Sequence, residues 1–281
     1  NTISADSAWA LCLEYGEINV HYTHALDYLA YAYLQTGEDR EAGRILKTAE
    51  QLQPPYSETS RSATAYAFAA LPARYALERR DWEAAAQLEP RMPSSFPWTK
   101  AHDPYVAITH FARALAMSNL GRPEDASADI DALRALRISV ASDNPYWAQQ
   151  IEIQELAARA WQGFSRGEGE SAIEVMQQAA ALEASTDKHA VTPGEVLPAA
   201  ELYGDMLLAA GRHEQALAAY RSALQRAPLR LNSLYGAGKA AVGVGDDVMA
   251  KAYFVELLSI TSGAEEPRSR IREIRAFMKT G

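Results

Sequence analysis

His21, His24 and Asp27 form the sharpest polar stripe in the chain, each three residues from the next. Residues three apart on a helix share a side. Neutral imidazoles and a carboxylate are suitable ligands for zinc and similar divalent transition metals. His110 or His189 would complete such a set, with His102 and Asp103 as further candidates near an irregular stretch. One reading is therefore a metal-binding protein, or a metalloenzyme, in which these side chains meet at one ion. No second motif of fixed spacing accompanies them. The competing reading is that the histidines are ordinary polar surface residues.

Other reactive side chains are sparse. Cys12 is the only cysteine, so no internal disulfide forms and the compartment stays undetermined. It has no local activating partner and sits on an apolar helix face, where it is expected to be a small buried hydrophobe. The sequence contains no GxSxG elbow and no Gly-rich phosphate loop, and no catalytic residue is assigned. The carboxylate pairs Asp246-Asp247 and Glu265-Glu266 fall in turns and are expected to face water. In the stretch 187–195, Thr192-Pro193-Gly194-Glu195 reads as a helix-capping box. Lys188 and His189 are left without a capping role. A helix N-terminus there would favour a carboxylate partner near Thr192.

Composition narrows the field. Of 281 residues 48% are hydrophobic, too many for a disordered chain. A formal charge of −9 with no basic cluster argues against nucleic acid and anionic membrane as partners. No apolar run is long enough to span a bilayer, so no membrane insertion is expected. The chain begins at Asn1 without Met or a signal-like segment, and is expected to be a processed product or a shortened chain.

The elements that would position these residues are helices. Leu26, Leu29, Ala30 and Tyr33 mark one helix face, Gly37 breaks that helix, Ala42, Leu46 and Ala49 mark a second, and Pro54 closes it. Near the other end Gly204, Gly211, Ala216, Tyr220 and Ala223 are followed 34 positions later by Gly238, Gly245, Ala250, Phe254 and Leu257. Looser versions occupy the middle, where Pro72 is an awkward helix-interior residue that marks a helix start or a kink. Asp103-Pro104 and Asn144-Pro145 read as caps followed by a first-turn proline.

This pattern resembles the tetratricopeptide repeat, a 34-residue helix–turn–helix. The expected fold is all-α: one right-handed solenoid of about six units near 23–54, 60–90, 104–137, 146–183, 197–228 and 231–262. A charged capping helix is expected over 266–278, and an amphipathic helix from Ser4 to about Gly16. Two segments, 90–104 and 183–194, are longer than a tight repeat link. They are either spacers that cover apolar surface or insertions on a binding face. The strings HALDYLAYAYLQ, ITHFARALA and KHAVTPG are similar to those of longer bacterial tetratricopeptide proteins with further His-rich helices upstream; Ala190 stands where that group has Pro. That likeness implies the C-terminal part of a longer solenoid, with His21, His24 and His189 as half of a metal site.

In that family the first helix of each unit lines a concave groove. The resemblance implies groove positions for His24, Asp27, Tyr31 and Gln35, then Arg74 and Glu78, then Phe111 and Asn119, then Trp161 and Phe164. Glu201, Asp205, Asn232, Tyr235 and Lys239 follow in the last two units. Such a groove suits an extended peptide or a partner helix. Only Asn232 and Lys239 match positions used to clamp a C-terminal carboxylate, so that specificity is not expected. The leading expectation is a non-enzymatic scaffold for a peptide or protein, with no cofactor. A homodimer, or an absent upstream segment, at the N-terminal end is a further expectation.

Overall fold

The computed structural model describes residues 2–187 and 195–280. The described residues form fourteen α-helices and no strand. They are α1 (Thr2–Tyr15), α2 (Val20–Thr36), α3 (Asp39–Glu50), α4 (Arg61–Glu78), α5 (Trp82–Ala86), α6 (Asp103–Asn119) and α7 (Ser127–Val140). Then come α8 (Pro145–Ser165), α9 (Glu170–Ala184), α10 (Ala199–Ala209), α11 (His213–Arg226), α12 (Leu231–Gly243), α13 (Asp247–Ile260) and α14 (Ser269–Thr280).

Local chemistry sets many of these limits. Asn19 accepts from the Tyr22 N–H (3.2 Å) to start α2, and Gly37 ends it in the left-handed region at φ 74°. Asn144 accepts from Trp147 N–H at the start of α8, with Pro145 in the first turn. Asp246 does the same for Met249, so this carboxylate caps α13 rather than simply facing water. Asp103 does not cap: it is the first residue of α6, and it takes an Arg91 N–H at 2.7 Å. Pro72 neither starts nor ends a helix, since α4 runs through it.

Each helix packs on its chain neighbour, and α2, α4, α6, α8, α10 and α12 also pack on one another in series. Alanine makes the close approach possible: Ala70, Ala73, Ala107, Ala112, Ala114, Ala116 and Ala158 are wholly enclosed. Glycine does so for α10–α12. A Cβ on Gly204 or on Gly236 would lie less than 3.0 Å from the buried Tyr220 ring, and one on Gly238 as close to Phe254.

The segment 90–104 covers apolar surface. Phe96 is 2% exposed and sits edge-on among Tyr56, Phe68 and Trp98. At the end of the chain, α14 buries Ile271 and Ile274 and sets Phe277 against Phe254, leaving its charged residues outside.

The series of helices curls far enough for its two ends to meet. Gln35 Oε1 accepts from Leu231 N–H at 3.0 Å. The Arg268 guanidinium donates to Asp39, to the Leu34 carbonyl and to the Glu78 carbonyl. Arg40 pairs with Glu265. These contacts join residues about 200 positions apart.

Candidate functional site

The curl decides what the inner helix faces do. Asp27 is 2% exposed and accepts from Arg74 Nε at 3.4 Å, while the guanidinium lies over the Tyr31 ring. Arg230, 1% exposed, donates to Glu78 (2.7 Å) and to Glu201 (3.0 Å). Glu201 also accepts from Arg80 (3.0 Å) and from the Ser233 hydroxyl (2.5 Å). Arg80 continues to Asp205 (2.6 Å), which accepts from the Tyr220 hydroxyl (2.7 Å). Asn232 donates to the Glu78 carbonyl and accepts from Arg270. Tyr235 and Lys239 both donate to Glu273 on α14. The Arg230 and Arg80 charges and the Ser233 hydroxyl hold the Glu201 carboxyl at about 2, against the rise that burial alone would cause.

Asp27, Tyr31, Gln35, Glu201, Asp205 and Asn232 each meet a group from elsewhere in the chain: Arg74 for the first two, the Leu231 N–H for Gln35, Arg80 and Arg230 for Glu201, Arg80 and Tyr220 for Asp205, and Arg270 for Asn232. Desolvation explains it: a charge closed off from water needs a partner, and the curl supplies three arginines. Of the other groove candidates, Asn119 donates to the Leu115 carbonyl of its own helix, and Trp161 packs on Phe164.

The described members of the histidine set, His21, His24, Asp27 and His110, do not meet at one point. Among the described residues no three His, Cys, Asp or Glu side chains are placed to hold a metal. Asp27 is paired with Arg74, whose positive charge disfavours a cation beside it. His110 Nδ1 lies 2.7 Å from Asp129 on α7. His24 lies tilted against Tyr28 and, with His21, lines a shallow recess against α1. Burial, joined by His21, holds the His24 imidazole below its ordinary pKa, with Asp27 opposing. Cys12 is buried, as expected of a small hydrophobe. His189, Lys188 and Thr192-Pro193-Gly194 lie outside the described residues. Glu195 is described, and its carboxylate takes two Arg226 N–H groups.

A second polar arrangement is not closed on itself. A cavity of about 50 Å³ lies between α4, α6, α8 and the start of α10, walled by Tyr66, Phe111, Tyr146 and Trp147. That volume holds roughly three waters. Glu183 and Glu195 line it, and so does Gln154, whose Oε1 is buried without a hydrogen-bond partner. Glu183, 2% exposed, accepts from the backbone N–H of Ala199 at 2.9 and 3.0 Å and so caps α10 from the end of α9. Burial and the Glu195 charge push its carboxyl up to about 8; the Ala199 N–H and Arg226 pull the other way. Phe111 was expected to face a partner and is here as an aromatic wall.

A raised carboxyl binds its proton more tightly in the folded than in the unfolded chain. Its contribution to stability is therefore complete below the ordinary carboxyl value of 4.5 and is lost as pH rises through about 8. Glu183→Gln is expected to flatten the fall in melting temperature between pH 5 and 8. Parallel wild-type and variant curves across that range would place Glu183 among ordinary ionised carboxylates.

No family description, curated protein or solved structure matches the chain.

Proposed function

We propose that this chain is a tetratricopeptide-like solenoid that binds a peptide or partner protein without chemistry of its own, gripping it at the aromatic pocket between α4, α6 and α8. The observation that carries the repeat reading is the spacing of its glycine–aromatic contacts. Gly204 meets Tyr220, and 34 residues later Gly238 meets Phe254 in the same way. The serial packing of alternate helices supports the same reading. The choice of pocket rests on polar satisfaction. The buried carboxylates of the inner faces each have a guanidinium partner and leave over only donors, Arg80 Nε and Nη1 and Gln35 Nε2, whereas the pocket keeps an unused acceptor beside aromatic walls.

Selection of random peptides on the purified protein, followed by fluorescence-polarisation binding, tests the reading. Trp147→Ala is expected to weaken the selected peptides about 30-fold, as for a central aromatic anchor. Peptides that bind the variant unchanged would move the site elsewhere; a library without any binder would remove the peptide reading.

A further inference from the structure

We propose that the recess between α3, α4 and the stretch after α5 is a second binding site, for a small molecule with an apolar body and a protonated amine at one end. The assignment does not rest on the peptide reading, because it concerns another face of α4. Arg74, about 200° around the helix from Pro72, is the residue that reaches the Glu195 carbonyl beside the aromatic pocket. Leu46 and Ala49 of α3, Leu71 and Pro72 of α4, and Leu88 and Met92 wall the recess. Its volume of about 370 Å³ lies within the range of small-molecule sites. The polar groups at its border give the ligand its sign. Proline has no N–H, so Pro72 leaves the Phe68 carbonyl without its helical donor, and both residues line the recess. The Phe68 ring is taken up elsewhere, edge-on to Tyr56 and Phe96. A carbonyl in apolar surroundings costs free energy until it accepts a hydrogen bond. Glu50 and Glu89 also border the recess, and neither has an ion-pair partner among the described residues.

Other ligand classes meet this border badly. An anion would face two carboxylates and a carbonyl oxygen, and among the described residues no basic side chain lines the recess. The guanidiniums closest in sequence are committed, Arg44 to Glu41 and Arg91 to Asp103. A purely apolar molecule would fill the walls and leave the carbonyl without a donor. An ammonium carries three N–H donors on one positive charge, which answers both kinds of group. Met92, 45% exposed, contributes a flexible thioether chain to the wall and can adapt to the ligand's apolar body.

Calorimetric titration with phenylbutylamine, phenylbutanol, phenylbutyl methyl ether and phenylbutyrate separates charge, donor and apolar body. The alcohol is expected to bind at least about threefold more tightly than the ether, the effect of one hydrogen bond. The amine is expected to exceed the alcohol by a further threefold or so at low salt, a margin that shrinks as salt rises because Glu50 and Glu89 are exposed. The carboxylate is expected to be at least about tenfold weaker than the amine. Pro72→Ala supplies the missing N–H and suits a helix interior, so it is expected to fold and to erase the alcohol's advantage over the ether. Glu50→Gln combined with Glu89→Gln is expected to erase the amine's advantage over the alcohol. Trp147→Ala is expected to bind the amine as the wild type does. A carboxylate as tight as the amine, an alcohol advantage that survives Pro72→Ala, or an amine that never saturates the folded protein overturns the proposal. Amine binding that is lost in Trp147→Ala also overturns it, by moving the ligand to the aromatic pocket. Selected peptides that depend on Trp147 while the amine never saturates would remove this site alone and leave the scaffold reading intact.

Discussion

Arg230→Met is expected to destabilise the protein by about 3–5 kcal/mol, the range for breaking a buried ion pair from one side. The guanidinium is 1% exposed and serves two carboxylates that are themselves enclosed, Glu78 on α4 and Glu201 on α10. Methionine fills a similar volume, so the loss is electrostatic rather than a cavity. Asn232 still reaches Glu78 and Arg80 still reaches Glu201, which keeps the penalty within the usual range. The pH dependence carries a sign. With Arg230 present, Glu201 stays ionised down to about 2. Without it the carboxyl rises, so the variant recovers part of its lost stability on acidification from pH 8 to pH 5. Urea unfolding at both pH values is the measurement. A loss below about 1 kcal/mol would mean that the pairs are water-screened, and that the two ends of the helix series stand apart in solution.

The second large effect is steric. Gly236→Ala is expected to destabilise by about 2 kcal/mol net, although alanine is the better helix former by about 1 kcal/mol. The added methyl would stand less than 3.0 Å from the Tyr220 ring. The ring has little room to retreat, because Gly204 also closes on it and Asp205 holds its hydroxyl. Trimming the ring should therefore rescue the substitution. In a Tyr220→Leu background, Gly236→Ala is expected to be neutral or mildly stabilising, a coupling readable in a double-mutant cycle. Additive losses would show that α10, α11 and α12 do not clamp the ring between them.

The helices were legible in the sequence because their signals are local. Asn144 before Pro145 fixes a start through one side-chain bond to Trp147 N–H, and Gly37 fixes an end through its left-handed backbone. Spacings of three and four residues identified the buried faces of α2 and α3, since one turn of helix is all they require. The all-helical class follows from such signals alone. The stretch 90–104 shows the limit: its four prolines excluded a long helix, but nothing local said that Phe96 would be buried among Tyr56 and Phe68.

The site was less legible. His21, His24 and Asp27 are placed together by one helix, but a metal site needs further ligands from other helices, and what faces Asp27 is Arg74, 47 residues away. Glu183 leaves a trace in the sequence: it continues the buried stripe of Ala172, Met176 and Ala179 on α9, where a carboxylate must find an internal partner. Its partner, the start of α10, lies on another helix. The residue types and their turn-by-turn spacing thus determined the helices and their apolar faces. The curl of the helix series decided which charges face one another, closing Arg230 onto Glu78 across 152 positions and leaving Gln154 and Glu183 at the pocket. Hydrogen bonding within a turn is written into neighbouring residues, whereas the pairing of buried charges depends on small inter-helix rotations accumulated along the whole chain.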